Sequence, residues 1–371
     1  MAKPLLLVEA LAARNDSGLG TMTRLFVDGL RGLSDRADIL VLLPKGGSYR
    51  PGPHCRTLAV DPRPWRLWVE TIFPILLMRH RAAAVLCLGQ TLPRFRPQAR
   101  YALAIPDAGP LEDLGWPTSS HDAYNRRWLR SRAPHADRIL AISAFTRSRL
   151  EALLGYPRDR IDIVLPIRPP ELRGERTGRI DASAPTGRHP SGEYFLSLGN
   201  VEPRKNYPGL IAAYAALLTR RPDAPPLYIA GHPAWGLAEA EAAVSAHGLQ
   251  RRVHFTGYLS EADRLAHLAQ CTAYLSSSLY EGWGLPLFEA LGFGKPAVYH
   301  RDSAQDEFAR GLALAVDCRD PQALSRAMET VWKDAAERER LRRALAAGFP
   351  RLLEYDLEGV LRSALLPLLD P

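Results

Sequence analysis

The amino-acid sequence predicts an α/β protein that is built from two doubly wound, parallel-sheet domains. Its 371 residues suit two domains, given roughly 150 residues per domain. Short apolar segments alternate with longer amphipathic segments along both halves, and this alternation is typical of parallel sheets flanked by helices. Between the halves lies a stretch rich in proline and glycine, which indicates a linker. We therefore predict domains over 1–170 and 193–350, a linker over 171–192 and a final segment over 351–371.

The first half opens on a buried strand, because residues 4–10 are almost continuously aliphatic. A glycine-bearing loop over 15–20 follows and leads into a predicted helix over 21–33. Strand, glycine loop and helix in this order can cradle a phosphate, so Gly18 and Gly20 are candidate ligand contacts. A plain tight turn is an equal alternative. Further strands are predicted over 37–44, 84–89, 101–106 and 137–143, and further helices over 120–132 and after Ser143, which can cap its helix.

The segment 63–81 combines two tryptophans, a phenylalanine and five basic side chains with an aliphatic body. One interpretation is an amphipathic core helix whose arginines face water. The other is an interfacial segment, with tryptophan and arginine at the level of lipid headgroups. Pro74 would break or kink a helix here, so a long continuous helix is not expected.

The positive charge is confined to the first half of the chain. Residues 1–170 contain 25 basic and 15 acidic residues, a net charge of +10, whereas the remainder has a net charge of −2. A basic half beside a neutral half favours an anionic surface or acceptor that meets that half alone. No basic–aromatic motif for nucleic acid is present, so nucleic acid is not expected as a partner. Anionic lipid headgroups or a pyrophosphate-linked acceptor fit better.

The four cysteines show no paired spacing that would indicate disulfides, zinc or redox chemistry. A reducing cytoplasm is therefore the expected compartment. The chain opens directly into an apolar strand that is too short for a signal peptide, and no run reaches the ~18 apolar residues of a membrane span. We expect a cytoplasmic protein, with the inner membrane face as a peripheral location.

The second half repeats the alternation of strands and helices. Ser260 and Asp263 have the spacing of a capping box at the start of the helix predicted over 261–270. Ligands of such a sheet bind at the carboxyl ends of its strands. The predicted strands are 194–199, 227–231, 253–257, 274–277 and 296–300, and the predicted helices are 207–221, 236–247 and 261–270.

One stretch of the second half predicts a nucleotide-sugar site. Glu281 and Glu289 stand eight positions apart, with glycines between them and a proline that favours the first turn of a helix. Gly282 and Gly284 allow close approach of a ligand to the backbone, and a helix that begins near Leu285 offers free N–H groups to phosphate. The two carboxylates suit sugar hydroxyls. A surface corner with solvated glutamates is the alternative.

A second stretch, over 199–206, follows the first strand of this half. Gly199 opens a loop in which Arg204 and Lys205 stand side by side just beyond the strand end. A guanidinium and an ammonium together can neutralise a departing diphosphate. Asn206 is a plausible N-cap of the next helix. An exposed turn without a ligand is the alternative.

The sequences Glu281-Gly-Trp-Gly-Leu-Pro286 and Gly199-Asn-Val-Glu-Pro-Arg-Lys-Asn206 resemble the donor-binding motifs of retaining glycosyltransferases of family four. That family has the GT-B fold of two Rossmann-like domains that face a cleft. Trp283 stands where its members usually have phenylalanine. The resemblance implies that Arg204, Lys205 and Glu281 are catalytic and that no metal or other cofactor is required. It assigns donor binding to Gly18, Gly20, Gly199, Asn200, Tyr258, Leu259, Gly282, Trp283, Gly284, Leu285 and Glu289.

The chain departs from the family pattern at Pro106, where many relatives carry a histidine that contacts the donor sugar. The neighbouring Asp107 is a candidate for the acceptor side of the site, or a turn former beside Gly109. His232 follows a strand-ending glycine and is either a pocket residue or a loop residue without a role. The segment 303–307 matches the family only loosely.

The resemblance implies transfer of a hexose from a nucleoside-diphosphate sugar to a saccharide acceptor in bacterial polysaccharide or lipopolysaccharide assembly. GDP-mannose is the first expectation for the donor, and a UDP-hexose or a GDP- or dTDP-6-deoxyhexose is the alternative. A lipid-diphosphate-linked saccharide is the expected acceptor. The segment 351–371 is expected to form a helix that crosses back to the first domain. A sugar-nucleotide epimerase and a non-catalytic sugar-nucleotide-binding protein remain alternatives of other classes.

Overall fold

A computed structural model describes residues 3–15, 17–89, 92–115, 120–167 and 190–370, without the side chains of 120–122. The chain divides into two compact units. The first comprises residues from 1–114, 118–172 and 355–371, and the second comprises residues from 115–117 and 173–354. The predicted linker over 171–192 lies outside the described residues except for 190–192.

The first unit is built on a seven-stranded parallel sheet in the order β3-β2-β1-β4-β5-β6-β7. The central strands are buried, which explains their nearly continuous aliphatic sequences. The strands are β1 (Leu5–Glu9), β2 (Asp38–Pro44), β3 (Arg56–Val60), β4 (Ala84–Cys87), β5 (Arg100–Ile105), β6 (Arg138–Ala141) and β7 (Ile161–Ile163). The helices before the second unit are α1 (Gly18–Gly29), α2 (Trp65–Leu67), α3 (Phe73–His80), α4 (Ser120–Arg132) and α5 (Ala144–Leu154).

The second unit has a six-stranded parallel sheet in the order β10-β9-β8-β11-β12-β13. Two parallel sheets with intervening helices confirm the predicted fold class. The strands are β8 (Phe195–Leu198), β9 (Leu227–Ala230), β10 (Val253–Gly257), β11 (Ala273–Ser276), β12 (Ala297–His300) and β13 (Leu314–Val316). The helices are α6 (Tyr207–Arg220), α7 (Leu237–Ala246), α8 (Glu261–Gln270), α9 (Leu285–Gly292), α10 (Asp306–Ala309), α11 (Pro321–Lys333) and α12 (Ala335–Leu352).

The last helix, α13 (Leu357–Leu369), belongs to the first unit. Leu361 packs so tightly on α1 that a side chain at Gly29 would meet its Cδ1 at 2.8 Å. The guanidinium of Arg362 lies 2.5 Å and 2.8 Å from the carboxylate oxygens of Asp35. Tyr355 accepts a hydrogen bond from the backbone N–H of Leu165 at 2.9 Å, so it ties the approach to α13 into the same unit.

Two local predictions in the first unit need correction. The segment 15–20 is not a loop throughout, because α1 begins at Gly18, where Ser17 accepts a hydrogen bond from the N–H of Gly20. A Cβ at Gly20 would lie 1.9 Å from the carbonyl oxygen of Asn15, so glycine permits this close approach. The helical segment 65–80 is not broken at Pro74. Instead, a π-helical turn over Trp68–Ile72 precedes the proline and joins α2 to α3.

Within the described part of the chain, no helix combines the length and the apolar character that crossing a membrane requires.

Candidate functional site

The candidate site lies at the carboxyl ends of β8 and β11, which are neighbours in the middle of the second sheet. The chain continues from β8 to β9 on one side, whereas β11 leads to β12 on the other side. This is a topological switch point, the place where open parallel sheets bind their ligands. The two motifs that the sequence singles out follow these two strands directly, so the fold brings them together.

Gly199 follows β8 directly and has a φ of +151°, a conformation that favours glycine. A Cβ at this position would lie 2.6 Å from Cε and 2.8 Å from Nζ of Lys205. The lysine side chain therefore runs along the backbone at the strand end, in space that only a glycine leaves open. Arg204 and Lys205 lie in a single 3-10 turn, Pro203–Lys205.

Hydrogen bonds join this turn to the loop after β11. The N–H of Leu279 donates to the carbonyl of Arg204 at 2.8 Å. The hydroxyl of Ser277 donates to the carbonyl of Lys205 at 2.7 Å. Because both bonds end on main-chain atoms, the two cationic residues are held in register with the loop that carries Glu281.

Glu281 binds both cations. Its Oε1 lies 2.5 Å from Nζ of Lys205, and its Oε2 lies 2.8 Å from Nη1 of Arg204. Glu202 accepts a further bond from Nε of Arg204 at 2.8 Å. The side chains of Lys205 and Glu281 are only 8% and 11% exposed, whereas Arg204 is 35% exposed. Arg204 is thus the cation that reaches outward, and Lys205 is the buried one.

The electrostatics keep this carboxylate ionised. Burial favours the neutral form of Glu281, but Lys205 and Arg204 outweigh burial and lower the pKa of Glu281 to about 2. Burial lowers the pKa of Lys205, and the adjacent Glu281 opposes that effect. Two positive charges thus meet one buried carboxylate and the partly buried Glu202. Because Lys205 is buried, its charge interacts more strongly with charged groups nearby than it would in water.

We expect Gly199→Ala to disrupt the cluster, because the new methyl group would occupy the path of Lys205. The loss of stability should be about 2–4 kcal/mol, from the unfavourable φ together with the overlap. Gly248→Ala is a suitable control, since Gly248 also has a positive φ (+66°) but nothing lies within 4 Å of the added Cβ. Urea unfolding checks the difference. Equal losses in both variants would contradict the packing role of Gly199.

The second motif opens α9 as predicted. Gly284 precedes Leu285, the first residue of α9, with a φ of +98°. A Cβ at Gly284 would lie 2.5 Å from Nε2 of Gln305. Gln305 is buried and exchanges hydrogen bonds with the hydroxyl of Ser276 at the end of β11. The first turn of α9 is therefore packed against the strand end beside Glu281.

Glu289 and Trp283 have partners that the sequence did not reveal. Glu289 forms an ion pair with Arg264 of α8. Trp283 is 3% exposed, and its ring packs on Phe308 with centroids 4.7 Å apart and on Phe288 at 6.2 Å. Its side chain therefore belongs to an aromatic cluster beneath the loop, while its backbone remains part of the motif.

The loops after β9 and β10 extend the site away from the switch point. The N–H of Gly199 bonds to Ala230 and the N–H of Gly231 bonds to Gly257, each at 2.9 Å. The rings of His232 and Tyr258 stack with centroids 4.6 Å apart and 18° between their planes. Tyr258 is 45% exposed, so the stack presents an aromatic surface to solvent. Leu259 and the exposed Asn200 lie in the same row of loops.

Other predictions concern the first unit or helix caps. Asp107 accepts a hydrogen bond from the N–H of Gly109 at 2.9 Å, the contact of a turn former. Gly18 and Gly20 lie in the first turn of α1.

Asn206 occupies the N-cap position of α6, but the prediction of side-chain capping is wrong. Its backbone is left-handed, and its amide donates to the carbonyl of Cys318 at 2.8 Å.

Sequence reasoning missed a buried carboxylate at the switch point of the first unit. Glu9 ends β1, is fully buried, and accepts hydrogen bonds from the N–H groups of Leu11 at 2.9 Å and Gly89 at 2.8 Å. A charged residue that ends an otherwise aliphatic strand was the available signal.

Among the described residues, no cluster of three or more histidine, cysteine, aspartate or glutamate side chains is arranged to hold a metal ion.

Comparison with known proteins agrees with this geometry. Residues 179–346 match the family model described as "Glycosyl transferases group 1". The match lies entirely within the second unit. The matched segment includes both motifs of the candidate site.

Curated relatives match the chain over part of its length. O-antigen chain mannosyltransferase B of Escherichia coli is 27% identical over 245 residues, which is 64% of this chain and 61% of that protein. The serotype-specific mannosyltransferase WbdA of Escherichia coli is 29% identical over 221 residues, 57% of this chain and 27% of that protein. D-inositol 3-phosphate glycosyltransferase of Nocardia farcinica is 33% identical, over 62% and 52% of the two chains. The chain thus spans less than two thirds of each relative.

Solved structures match along nearly the whole chain. The crystal structure of Anabaena HepE in complex with UDP and glucose has a TM-score of 0.66 at 14% identity, and covers 98% of this chain and 99% of that chain. Sucrose-phosphate synthase from Thermosynechococcus elongatus has a TM-score of 0.66 at 17% identity, over 99% and 96% of the two chains. At these identities the likeness concerns the fold, and the fold of this chain is GT-B.

Proposed function

We propose that this protein is a retaining glycosyltransferase of family four that transfers a hexose from a nucleoside-diphosphate sugar to a saccharide hydroxyl. The proposal rests on one observation: Arg204 and Lys205 both form hydrogen-bonded ion pairs with Glu281 at the switch point of the second sheet. The match of residues 179–346 to the "Glycosyl transferases group 1" model and the mannosyltransferases among the relatives support the proposal.

The cations act on the leaving group. As the bond between the anomeric carbon and the diphosphate breaks, negative charge grows on the phosphate oxygens, and preorganised cations stabilise it. Arg204, the more exposed cation, is assigned to the phosphate oxygens, and Lys205 supplies a second positive charge beside it. The N–H of Leu285, the first residue of α9, is assigned as a further donor. Two side-chain cations provide the charge that a metal would otherwise supply, so we propose a reaction that needs no metal.

Retention of configuration determines the face from which the acceptor attacks the donor sugar. The acceptor oxygen bonds to the anomeric carbon on the face that the diphosphate leaves, and the acceptor proton passes to a departing phosphate oxygen. Glu281 orients the cations and, in this proposal, the hydroxyls of the donor sugar.

The row of loops beyond Gly199 suits the nucleoside. Adjacent parallel strands lie about 4.8 Å apart, so the end of β10 lies about 10 Å from the end of β8. That distance is comparable to the span from a diphosphate to a nucleobase. Tyr258 and Leu259 stand at that end, and we assign them to the base. Glu289 is assigned to the ribose, with Arg264 as the residue that holds its carboxylate.

Mannose from GDP-mannose is our proposal for the transferred sugar, and the mannosyltransferases of O-antigen synthesis among the relatives support it. A UDP-hexose or a GDP- or dTDP-6-deoxyhexose is the alternative. The proposed acceptor is a saccharide carried on a lipid diphosphate at the cytoplasmic face of the membrane. Asp107 is proposed for the acceptor side, with Pro106 in place of the family histidine.

The test is a transfer assay with GDP-mannose, UDP-glucose, UDP-galactose, GDP-fucose and dTDP-rhamnose, in the presence and absence of chelator. We expect one donor to be consumed with release of its nucleoside diphosphate, undiminished by chelator, and a product with the anomeric configuration of the donor by NMR. An inverted product would refute retention, and dependence on added metal would refute the proposed role of the cations. Binding without turnover over a broad acceptor panel would instead indicate a sugar-nucleotide-binding protein.

A further inference from the structure

The first unit presents a row of large apolar side chains to solvent. We call it the outer face, and it consists of Leu67, Ile72, Ile75, Met78 and Phe95, which are 56%, 42%, 48%, 49% and 59% exposed. In the described part of the chain, only Trp235 and Tyr258 are other large apolar residues of comparable exposure. An apolar surface that is concentrated in one place marks an interaction site more often than scattered residues do.

The π-helical turn aligns this face. Its i→i+5 hydrogen bond runs from the N–H of Phe73 to the carbonyl of Trp68, so residues five apart lie about one turn apart there. Leu67 and Ile72 have that spacing across the turn, and both are exposed. Meanwhile Trp68, Phe73 and Leu77 are buried in the core of the unit. The segment therefore buries one apolar face and exposes another, whereas an ordinary surface helix exposes a polar face.

Phe95 is held beside this helical segment. The N–H of Arg94 donates to Oε2 of Glu70 at 2.8 Å. Oε1 of the same carboxylate lies 2.5 Å from Nη2 of Arg132, and Nη1 of Arg132 donates to the carbonyl of Leu92 at 3.3 Å. The loop that carries Phe95 is thus fixed to the helix by a partly buried ion pair.

The charge around the outer face is positive. The outer face is carried by two segments, residues 61–81 and 92–100. These segments contain two carboxylates, and each forms an ion pair: Asp61 with Arg63, and Glu70 with Arg132. The same segments contain seven arginines: Arg63, Arg66, Arg79, Arg81, Arg94, Arg96 and Arg100.

We propose that the outer face docks on an anionic lipid bilayer, with its apolar side chains among the acyl chains and its arginines at the phosphates. Long arginine side chains can keep their charge at the headgroups while their stems cover apolar surface. This proposal supplies a surface for the membrane location in the proposed function, but it does not depend on any transfer activity.

Charge favours a bilayer over a second copy of this chain. A symmetric dimer through the outer face would place the same set of arginines against itself, because a twofold interface joins identical patches. Like charges brought together in this way weaken association. An anionic surface instead attracts positively charged side chains, and the attraction falls as salt screens it.

The test measures sedimentation of the full chain with vesicles of phosphatidylcholine, with and without phosphatidylglycerol. We expect binding to the anionic vesicles that weakens with added salt. Ile75→Glu combined with Met78→Glu should lower the partition coefficient at least about tenfold, since two inserted side chains become charged. Trp235→Glu is the matched control, because Trp235 is 45% exposed and lies in the second unit. It should change partitioning by less than about twofold.

Absence of binding by the native chain would overturn the proposal, as would equal losses in the control and the double variant. A concentration-dependent dimer without lipid, abolished by the double variant, would overturn it in favour of a second copy. Circular dichroism and nucleoside-diphosphate binding of each variant show whether the fold and the donor site are intact. A failure of membrane docking is therefore distinguishable from a failure of the proposed transfer.

Discussion

We expect Glu281→Ala to lower kcat/KM for glycosyl transfer by about a thousandfold or more. The substitution removes the group that holds Arg204 and Lys205 at 2.8 Å and 2.5 Å, and with it the proposed contact to the donor sugar. It also leaves a buried ammonium without its carboxylate, so the free energy of unfolding should fall by roughly 3–5 kcal/mol. Steady-state kinetics and urea unfolding of the same samples check both results.

A paired variant separates stability from chemistry. Glu281→Leu combined with Lys205→Met removes both buried charges and keeps similar volumes, so we expect it to recover most of the lost stability. It should remain inactive, because the variant lacks one of the two cations that are proposed to bind the leaving diphosphate. Transfer within tenfold of the native rate in either Glu281 variant would show that this carboxylate has been assigned wrongly.

The second large effect concerns the cations themselves. We expect Lys205→Met and Arg204→Met each to lower kcat by about a hundredfold to a thousandfold, since in the proposed mechanism each removes a charge that stabilises the leaving group in the transition state. The KM for the donor should change less than kcat, because the charge on the leaving oxygen is fully developed only in the transition state.

Lys333→Met is the matched control for these variants. Lys333 lies in the same unit, but its ammonium lies 3.6 Å from Asp223 and 3.9 Å from the ring of Trp332, apart from the candidate site. It should leave kcat unchanged within about twofold. If Lys205→Met raised only KM, the lysine would serve ground-state binding, and the role in leaving-group stabilisation would be wrong.

Much of the fold follows from the sequence, because buried parallel strands have continuous aliphatic sequences and parallel strands require intervening helices. The strands that escaped notice, β3, β7 and β13, are all at sheet edges. β3 has only one buried residue, and β7 and β13 contain three residues each. Such strands are ordered mainly by their neighbours, so their own sequences carry a weak signal.

The candidate site was predictable in part for a related reason. Both motifs follow strands of one parallel sheet, and carboxyl ends of parallel strands share an edge. The partner of each side chain was not predictable. Glu281 and Lys205 are 76 positions apart, and nothing local indicates that the carboxylate binds the cations. The same holds for Arg264 with Glu289, and for the aromatic cluster that buries Trp283.

The most direct test of the central claim is calorimetric titration with GDP, UDP, dTDP and the corresponding nucleosides, in the presence of chelator. The claim is that Arg204 and Lys205 hold the diphosphate of a sugar nucleotide. We expect one nucleoside diphosphate to bind at least about a hundredfold more tightly than its nucleoside, and Lys205→Met to remove most of that difference. Equal affinities for diphosphate and nucleoside, or no loss in Lys205→Met, would contradict the claim.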